Sequence, residues 1–358
     1  MTLKDVAQKA GVSAHSVSAV LNGKAEQYRI SPATQQRIAK MAAELGYDPD
    51  NNRGARQMAA RKHGIKMLNN VIAVCSNPSS RPVHQQPFES EILDGIESVA
   101  DAQGLDVLMC RLRADRLPRM IEKCEVDGIV TMSSQVQWFP LFRPLGIPVV
   151  HLGSMLPEIH SVSAEHRKGM KLVVSHLIEQ GHRQIAYIGY GVNLTQKESV
   201  LYDAANQRYE SFCEVMEKSG LPVKYVVSSL PKGLPENGYN SFDMLWKQSR
   251  RRLTAVVCYN DFLAMGAIRA AQEKGLQVPH DLSVVGFDAV SGPFAFEPFI
   301  TSVGYDRALM GRRAMEILLE YRHEKILSPE DKSTFIREEL PVHFVEGATT
   351  APPAKKKL

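Results

Sequence analysis

The chain has 358 residues, 44% of them hydrophobic and 23% charged, enough to bury a core in each of two or three domains. No apolar run is as long as a membrane span, and no secretory signal comes before the first helical pattern, so a cytoplasmic protein is expected. The formal net charge of +4 is uneven: residues 1–66 carry eleven Lys or Arg and five Asp or Glu, a basic end on a nearly neutral body that suggests phosphate contact confined to that end.

Residues 3–10 place Val6, Ala7 and Ala10 on one helical face. Gly11 suits the positive-φ residue that ends a helix in a sharp turn. Val12 can plug the core, and Ser13 is a good N-cap for a second helix. There Val17, Val20 and Leu21 recur at i, i+3 and i+4 and are expected to face inward. Ala14, His15, Ser16, Ser18, Ala19 and Asn22 are left outside. A tight helical pair with small polar residues outward is what a recognition helix in a DNA major groove requires; an ordinary helical hairpin is the plainer alternative. Ser31-Pro32 then supplies a cap and a first-turn proline for a third helix, in which Ile38, Met41, Ala42 and Leu45 recur and which Gly46 ends.

Residues 47–66 read as a linker. Tyr47-Asp48-Pro49 marks the boundary, and Gly54 precedes residues 55–62, good helix formers in a stretch too short to be stable alone. Such a segment can fold on binding or serve as a flexible tether. From residue 70 onward, apolar runs of strand length fall at 71–75, 106–110, 128–132, 148–152, 185–190, 225–228, 255–259 and 283–287. Helical patterns at 89–103, 166–180, 208–219, 261–274 and 307–321 alternate with them. Continuous apolar strands separated by helices predict an α/β body of parallel sheets covered on both faces, and their number predicts two doubly wound lobes. Residues 349–358, with Pro352-Pro353 and three lysines, are expected to form a disordered tail.

The opening segment TLKDVAQKAGVSAHSVSAVLNG, followed by ISPATQQRI and AAELGYDP, resembles the headpiece of the LacI/GalR family of bacterial transcription regulators. Residues 176–186 (HLIEQGHRQIA) are similar to the family's helix-to-strand junction. Asn260-Asp261-Phe262-Leu263-Ala264-Met265-Gly266 resembles its Asn-Asp-x-x-Ala-x-Gly signature, and Val278-Pro279 with Ser283-Val284-Val285-Gly286-Phe287-Asp288 resembles the last strand of its second lobe. The resemblance implies a three-helix helix-turn-helix headpiece at 1–46, a linker with a hinge helix at 47–66, and a periplasmic-binding-protein-like body at 67–348. Lobe 1 would take about 67–161 and 291–320, and lobe 2 about 162–290 and 321–348, with crossings near Ser161, Ser291 and Tyr321. A small-molecule effector, a sugar or related metabolite, would lie between the lobes. A homodimer on a near-palindromic operator completes the implied picture, with no membrane partner.

For DNA contact the resemblance implies Thr2, Leu3, Ser13, Ala14, His15, Ser16, Ser18, Ala19, Asn22, Ser31 and Thr34 in the headpiece. It adds Ala55, Arg56 and Met58 in a hinge helix whose methionine wedges between base steps. For the effector it implies Asp261 at the carboxyl end of a strand, Arg208 as a forked donor, and Phe88 as an aromatic face for a sugar or base. The plainer alternatives are that Asp261 caps its helix and that Arg208 forms a surface ion pair. Trp138 is a weaker candidate, and Trp246 reads as core. The chain departs from the family pattern at Ala19, where a larger base-reading residue is usual, at Glu165-His166 in place of Asp-Asn, and at Asp288-Ala289 in place of Asp-Asp. Residues 191–207 are longer and more polar than usual.

Enzyme chemistry finds no constellation. Eleven histidines form no H-E-x-x-H or Cys/His cluster, and Gly189-x-Gly191 lacks the third glycine and acidic partner of a dinucleotide site. Neither a phosphate-binding G-x-x-x-x-G-K-[ST] nor a G-x-S-x-G elbow occurs. Cys75, Cys110, Cys124, Cys213 and Cys258 are scattered without a C-x-x-C pair, which reads as reduced thiols. No cofactor or metal is expected. The chain thus reads as an effector-responsive, DNA-binding transcriptional regulator, a repressor by family. Its rivals are a solute-binding protein of the same fold and a sugar-metabolising enzyme.

Overall fold

Val6, Ala7 and Ala10 are buried on α1 (Leu3–Ala10), in one cluster with Val17 of α2 (Ala14–Leu21) and with Ile38 and Ala42 of α3 (Pro32–Glu44). The computed structural model describes residues 3–21, 24–47, 68–76, 87–113, 116–132, 138–156, 158–189, 203–228, 235–250, 252–290, 298–321 and 335–354. Of the residues singled out above, Thr2, Asn22, Ala55, Arg56 and Met58 lie outside this set, as does the side chain of Phe88. The chain divides into two units, Met1–Leu68 and Asn69–Leu358.

In the first unit Gly11 takes φ 64°, and the Val12 amide reaches the Ala7 carbonyl at 3.0 Å, turning the chain sharply toward α2. Ser13 Oγ accepts the Ser16 amide at 3.1 Å and Ser31 Oγ the Thr34 amide at 3.4 Å, so both following helices start on a serine cap. Val6, Val17 and Ile38 are fully buried. Each such side chain contributes about 2 kcal/mol, which holds together helices too short to persist alone.

The second unit begins with β1 (Val71–Ser76), α4 (Pro87–Ala102), β2 (Asp106–Arg111), α5 (Arg119–Glu122) and β3 (Gly128–Thr131). It continues through α6 (Phe139–Phe142), β4 (Val149–Leu152), β5 (His160–Ala164), α7 (His166–Glu179) and β6 (Ile185–Gly189). Next come α8 (Asp203–Lys218), β7 (Tyr225–Ser228), α9 (Pro235–Gln248), β8 (Ala255–Cys258), α10 (Asp261–Glu273) and β9 (Ser283–Val285). The last elements are β10 (Ser302–Gly304), α11 (Arg307–Tyr321), β11 (Arg337–Leu340) and β12 (His343–Val345). One sheet has the order β11-β5-β4-β3-β1-β2 and the other β7-β6-β8-β9, both wholly parallel, with β10 and β12 as a separate antiparallel pair. The continuous burial of β1, β3, β6 and β8 matches helices on both sheet faces. Against the first sheet, α4 and α11 approach so closely that a Cβ on Gly95 would lie 2.0 Å from the Ala308 carbonyl oxygen, and one on Gly311 2.1 Å from that of Ile92.

Three boundaries differ from the sequence expectation. Residues 337–340 do not enter the second lobe after Tyr321: β11 pairs in parallel with β5, Arg337 opposite Ser161, and extends the first sheet. The last crossing therefore follows Leu340, and the first follows Ala164 rather than Ser161. Nor do residues 349–354 trail free. Thr349 is fully buried, its hydroxyl donating to the Val284 carbonyl at 2.6 Å and accepting the Thr301 amide at 2.9 Å. Ala351 exchanges bonds with the Ser283 hydroxyl and takes the His182 Nε2 contact at 2.9 Å. Composition suggested a tail, but threonine hydroxyls and backbone amides complete the edge of the second sheet there.

Candidate functional site

Parallel sheets gather chemistry at their carboxyl ends, where loops leave the strands and helices begin. In the second unit Arg208 lies there on α8, only 3% exposed. Its Nε donates to His166 Nδ1 at 3.2 Å, Nη1 to the Tyr259 carbonyl, and Nη2 to Asp288 Oδ1 at 3.1 Å. The guanidinium carbon Cζ stands 3.6 Å from the centre of the Phe287 ring and 4.4 Å from that of Tyr259. Burial opposes the charge, but Asp288 and the surrounding tyrosines outweigh it and raise the arginine's pKa. The surface ion pair considered for Arg208 is thus replaced by a buried one.

His166 is where this network meets the first sheet. Burial and the neighbouring Arg208 hold its pKa well below the usual histidine value, so the ring is neutral. With Nδ1 accepting from Arg208, the proton sits on Nε2, which contacts the Gly153 carbonyl at 3.2 Å and the Ser163 hydroxyl at 3.0 Å. On the other side, Tyr305 donates to Asp288 Oδ1 at 3.4 Å. Arg307 bonds the Asp288 carbonyl and grips Glu91 of α4 with two bonds of 2.9 Å. A connected chain, Glu91–Arg307–Asp288–Arg208–His166, therefore runs from a helix of the first sheet into the second and back. Sequence reasoning placed Asp288 at the end of a family-like strand and His166 among the departures, gave neither a role, and missed Glu91, Tyr305 and Arg307. The position of Asp288 just beyond β9 was the available signal.

Asp261 opens α10, but the residue that caps this helix is Asn260, whose Oδ1 accepts the Leu263 amide at 3.0 Å. The carboxylate of Asp261, 2% exposed, instead accepts the Ser302 hydroxyl at 2.6 Å and the Val290 amide at 2.8 Å, tying α10 to β10 and to the segment after β9. Burial pushes its pKa up to about 7 against the lowering effect of those two bonds, with Asp288 adding to the rise. Phe88 falls at the second position of α4. Trp138 is buried in the first sheet's apolar cluster with Phe142, and Trp246 stacks on Phe242.

In the first unit, Ser13 and His15 are exposed, and Leu3, Ala14, Ser16, Ser18 and Thr34 are partly so. Ser13 and Ser31 serve as caps, each with its hydroxyl also 2.9 Å from the hydroxyl one turn on, at Ser16 and Thr34. Ala19 corrects the expectation of an outward residue: it is 5% exposed. The turn after α2 folds back on it, with the Lys24 amide on the Ala19 carbonyl at 2.8 Å.

Comparison with known proteins bears on both units. Residues 2–50 match the family of bacterial regulatory proteins of the lacI type, and residues 174–350 match a periplasmic binding protein-like domain. The HTH-type transcriptional repressor PurR of Mannheimia succiniciproducens is 29% identical over 329 residues, spanning 89% of this chain and 91% of that protein. The lac repressor dimer bound to operator and the anti-inducer ONPF superposes with a TM-score of 0.66 at 25% identity, covering 98% of this chain and 99% of that one. The transcriptional regulator CelR in complex with cellobiose gives 0.66 at 22% identity over 98% and 99% of the two chains, a likeness of fold. The relatives matched along most of the length are repressors, not enzymes. By headpiece, body and nearly full-length kinship with repressors, the chain belongs to the lacI family of bacterial regulatory proteins.

Proposed function

We propose that this protein represses transcription by binding an operator through its helix-turn-helix unit, under control of a small effector held where the two sheets meet. The observation that carries the reading is the joining, in one chain of this family, of a basic helical headpiece to a two-sheet body with a buried, forked arginine at the carboxyl ends of its strands. Two copies would engage the two halves of a near-palindromic site in the cytoplasm; the lac repressor, similar along the whole chain, is a dimer bound to operator. Ser13, Ala14, His15, Ser16, Ser18, Ser31 and Thr34, with Thr2, Leu3 and Asn22, are the headpiece residues assigned to DNA. Ala55, Arg56 and Met58 are assigned to a minor-groove hinge.

For the effector we assign Arg208 and Phe88, and add Asp288 as the acceptor that pairs with Arg208. Together a fork of donors and a carboxylate suit neighbouring hydroxyl groups, which both accept and donate, as on a sugar. Asp261 acts on the same site through the segment carrying Asp288. Control requires that the effector bind one arrangement of the two sheets more tightly than the other. The test is selection of genomic fragments by the purified protein, with and without sugars and nucleobases. Recovery of a palindromic site whose occupancy one compound changes supports the reading; failure to enrich any sequence overturns it.

A further inference from the structure

The reading surface of α2 is narrower than its sequence suggests. All eight residues of α2 are described, and His15 is the exposed one among them; Val17 and Ala19 are buried and the remainder partly so. Residues 24–30 fold back over the helix: the Lys24 amide bonds the Ala19 carbonyl, Ala25 is 7% exposed, and the Ile30 amide returns to the Ala25 carbonyl at 2.9 Å. Gln35 of α3 holds the end of this turn through the Ile30 carbonyl at 2.8 Å. The fold brings Tyr28, itself 46% exposed, against His15 with ring centres 4.7 Å apart and planes at 89°. Lys24 and Arg29, both exposed, place two positive charges in the same turn.

We infer that Tyr28 is a positioning residue for base reading by His15. An exposed histidine turns freely about its side-chain bonds and must be ordered when it meets a base, which weakens the contact. A perpendicular aromatic neighbour is a favourable arrangement for ring quadrupoles and holds the imidazole in one plane beforehand. The imidazole then presents its nitrogens, one donor and one acceptor when neutral, in a set direction to the base edges of the major groove. Ala19, one helical turn on, is covered and supplies no second reader. Discrimination at those base pairs falls to the His15–Tyr28 pair. The inference rests on the DNA-binding reading of the headpiece.

The experiment is selection from random duplex DNA with the full-length protein and four variants: His15→Ala, Tyr28→Ala, Tyr28→Phe and the double His15→Ala, Tyr28→Ala. Tyr28→Ala is expected to flatten base preference at the same base pairs as His15→Ala, with discrimination there falling about fivefold or more, the low end for one base contact. The double variant is expected to lose no more than His15→Ala alone, and Tyr28→Phe to keep the parent preference, since the ring contact needs no hydroxyl. The inference is overturned if Tyr28→Ala weakens all sequences equally, alters preference at other base pairs, or is matched by Tyr28→Phe. Should Tyr28→Ala unfold the headpiece by circular dichroism, Tyr28→Leu fills the space without a ring and decides by the same comparison. A parent protein that enriches no sequence overturns the DNA-binding reading and this inference together; enrichment by the parent with an inert Tyr28 overturns this inference alone.

Discussion

Arg208 commits all three of its guanidinium nitrogens to protein partners, so truncating it strands groups on three sides. Arg208→Ala leaves Asp288 without its cation and His166 Nδ1 without its donor, and is expected to destabilise the body by roughly 3–5 kcal/mol. Arg208→Lys keeps the charge but loses the fork and the planar stack, so it should fold better than Arg208→Ala yet respond poorly to effector. Urea denaturation, followed by release from the selected operator, checks both; a denaturation midpoint unmoved by Arg208→Ala would contradict the network. Asp261 gives a prediction in pH. Its folded pKa of about 7 lies above the ordinary aspartate value, so between about pH 4 and 7 the folded state holds more protons than the unfolded one. Stability from this group is present at the acid end and lost as pH rises toward 7. An asparagine can still accept the Val290 amide and donate to the Ser302 oxygen without titrating. The difference in melting temperature between the parent and Asp261→Asn should therefore shrink in the parent's disfavour from pH 5 to 7.5, and a constant difference would refute the raised pKa.

At the scale of elements, the contact between α4 and α11 depends on what is missing from Gly95. An alanine there gains about 1 kcal/mol of helix propensity, but its methyl would stand 2.0 Å from a backbone oxygen, and overpacking of this kind costs about 1–3 kcal/mol or more. Gly95→Ala is thus expected to lower the denaturation midpoint, where propensity alone would raise it. The elements legible in the sequence are those whose burial is apolar. Residues 71–75 and Ala255–Cys258 are runs of valine, isoleucine, alanine and cysteine. β5 (HSVSA) escaped because three of its five buried residues are polar, His160 meeting the Ile336 amide and Ser161 the Ile159 carbonyl. β11 (REEL) looks like surface because it is an edge strand, where charge is tolerated; Arg313 holds Glu338 with bonds of 2.8 and 3.0 Å. A glycine turn, serine caps and an aspartate after a strand are written locally, whereas the meeting of Arg208, Asp288 and His166 depends on contacts 80 and 42 residues apart in sequence.

Across the molecule, the end of the chain is a fastening. Truncation after Ala348 would leave the Val284 carbonyl and the Thr301 amide without Thr349, at roughly 1–3 kcal/mol for each buried group left unsatisfied. Calorimetry of the truncated protein is expected to show a lower melting temperature, and an unchanged one would mean those bonds do not matter in solution.

Among the described residues the chain passes between its two sheets after Ala164, between β9 and α11, and after Leu340, and these crossings are laced together. The Glu165 amide bonds the Leu340 carbonyl at 3.0 Å, and β10 pairs with β12. Three connections bonded to one another resist being pulled apart or slid past one another, yet each can twist. The easy coordinate left to the body is torsion, so an effector would be felt as a torque, passed on by a change of angle with the two halves still in touch.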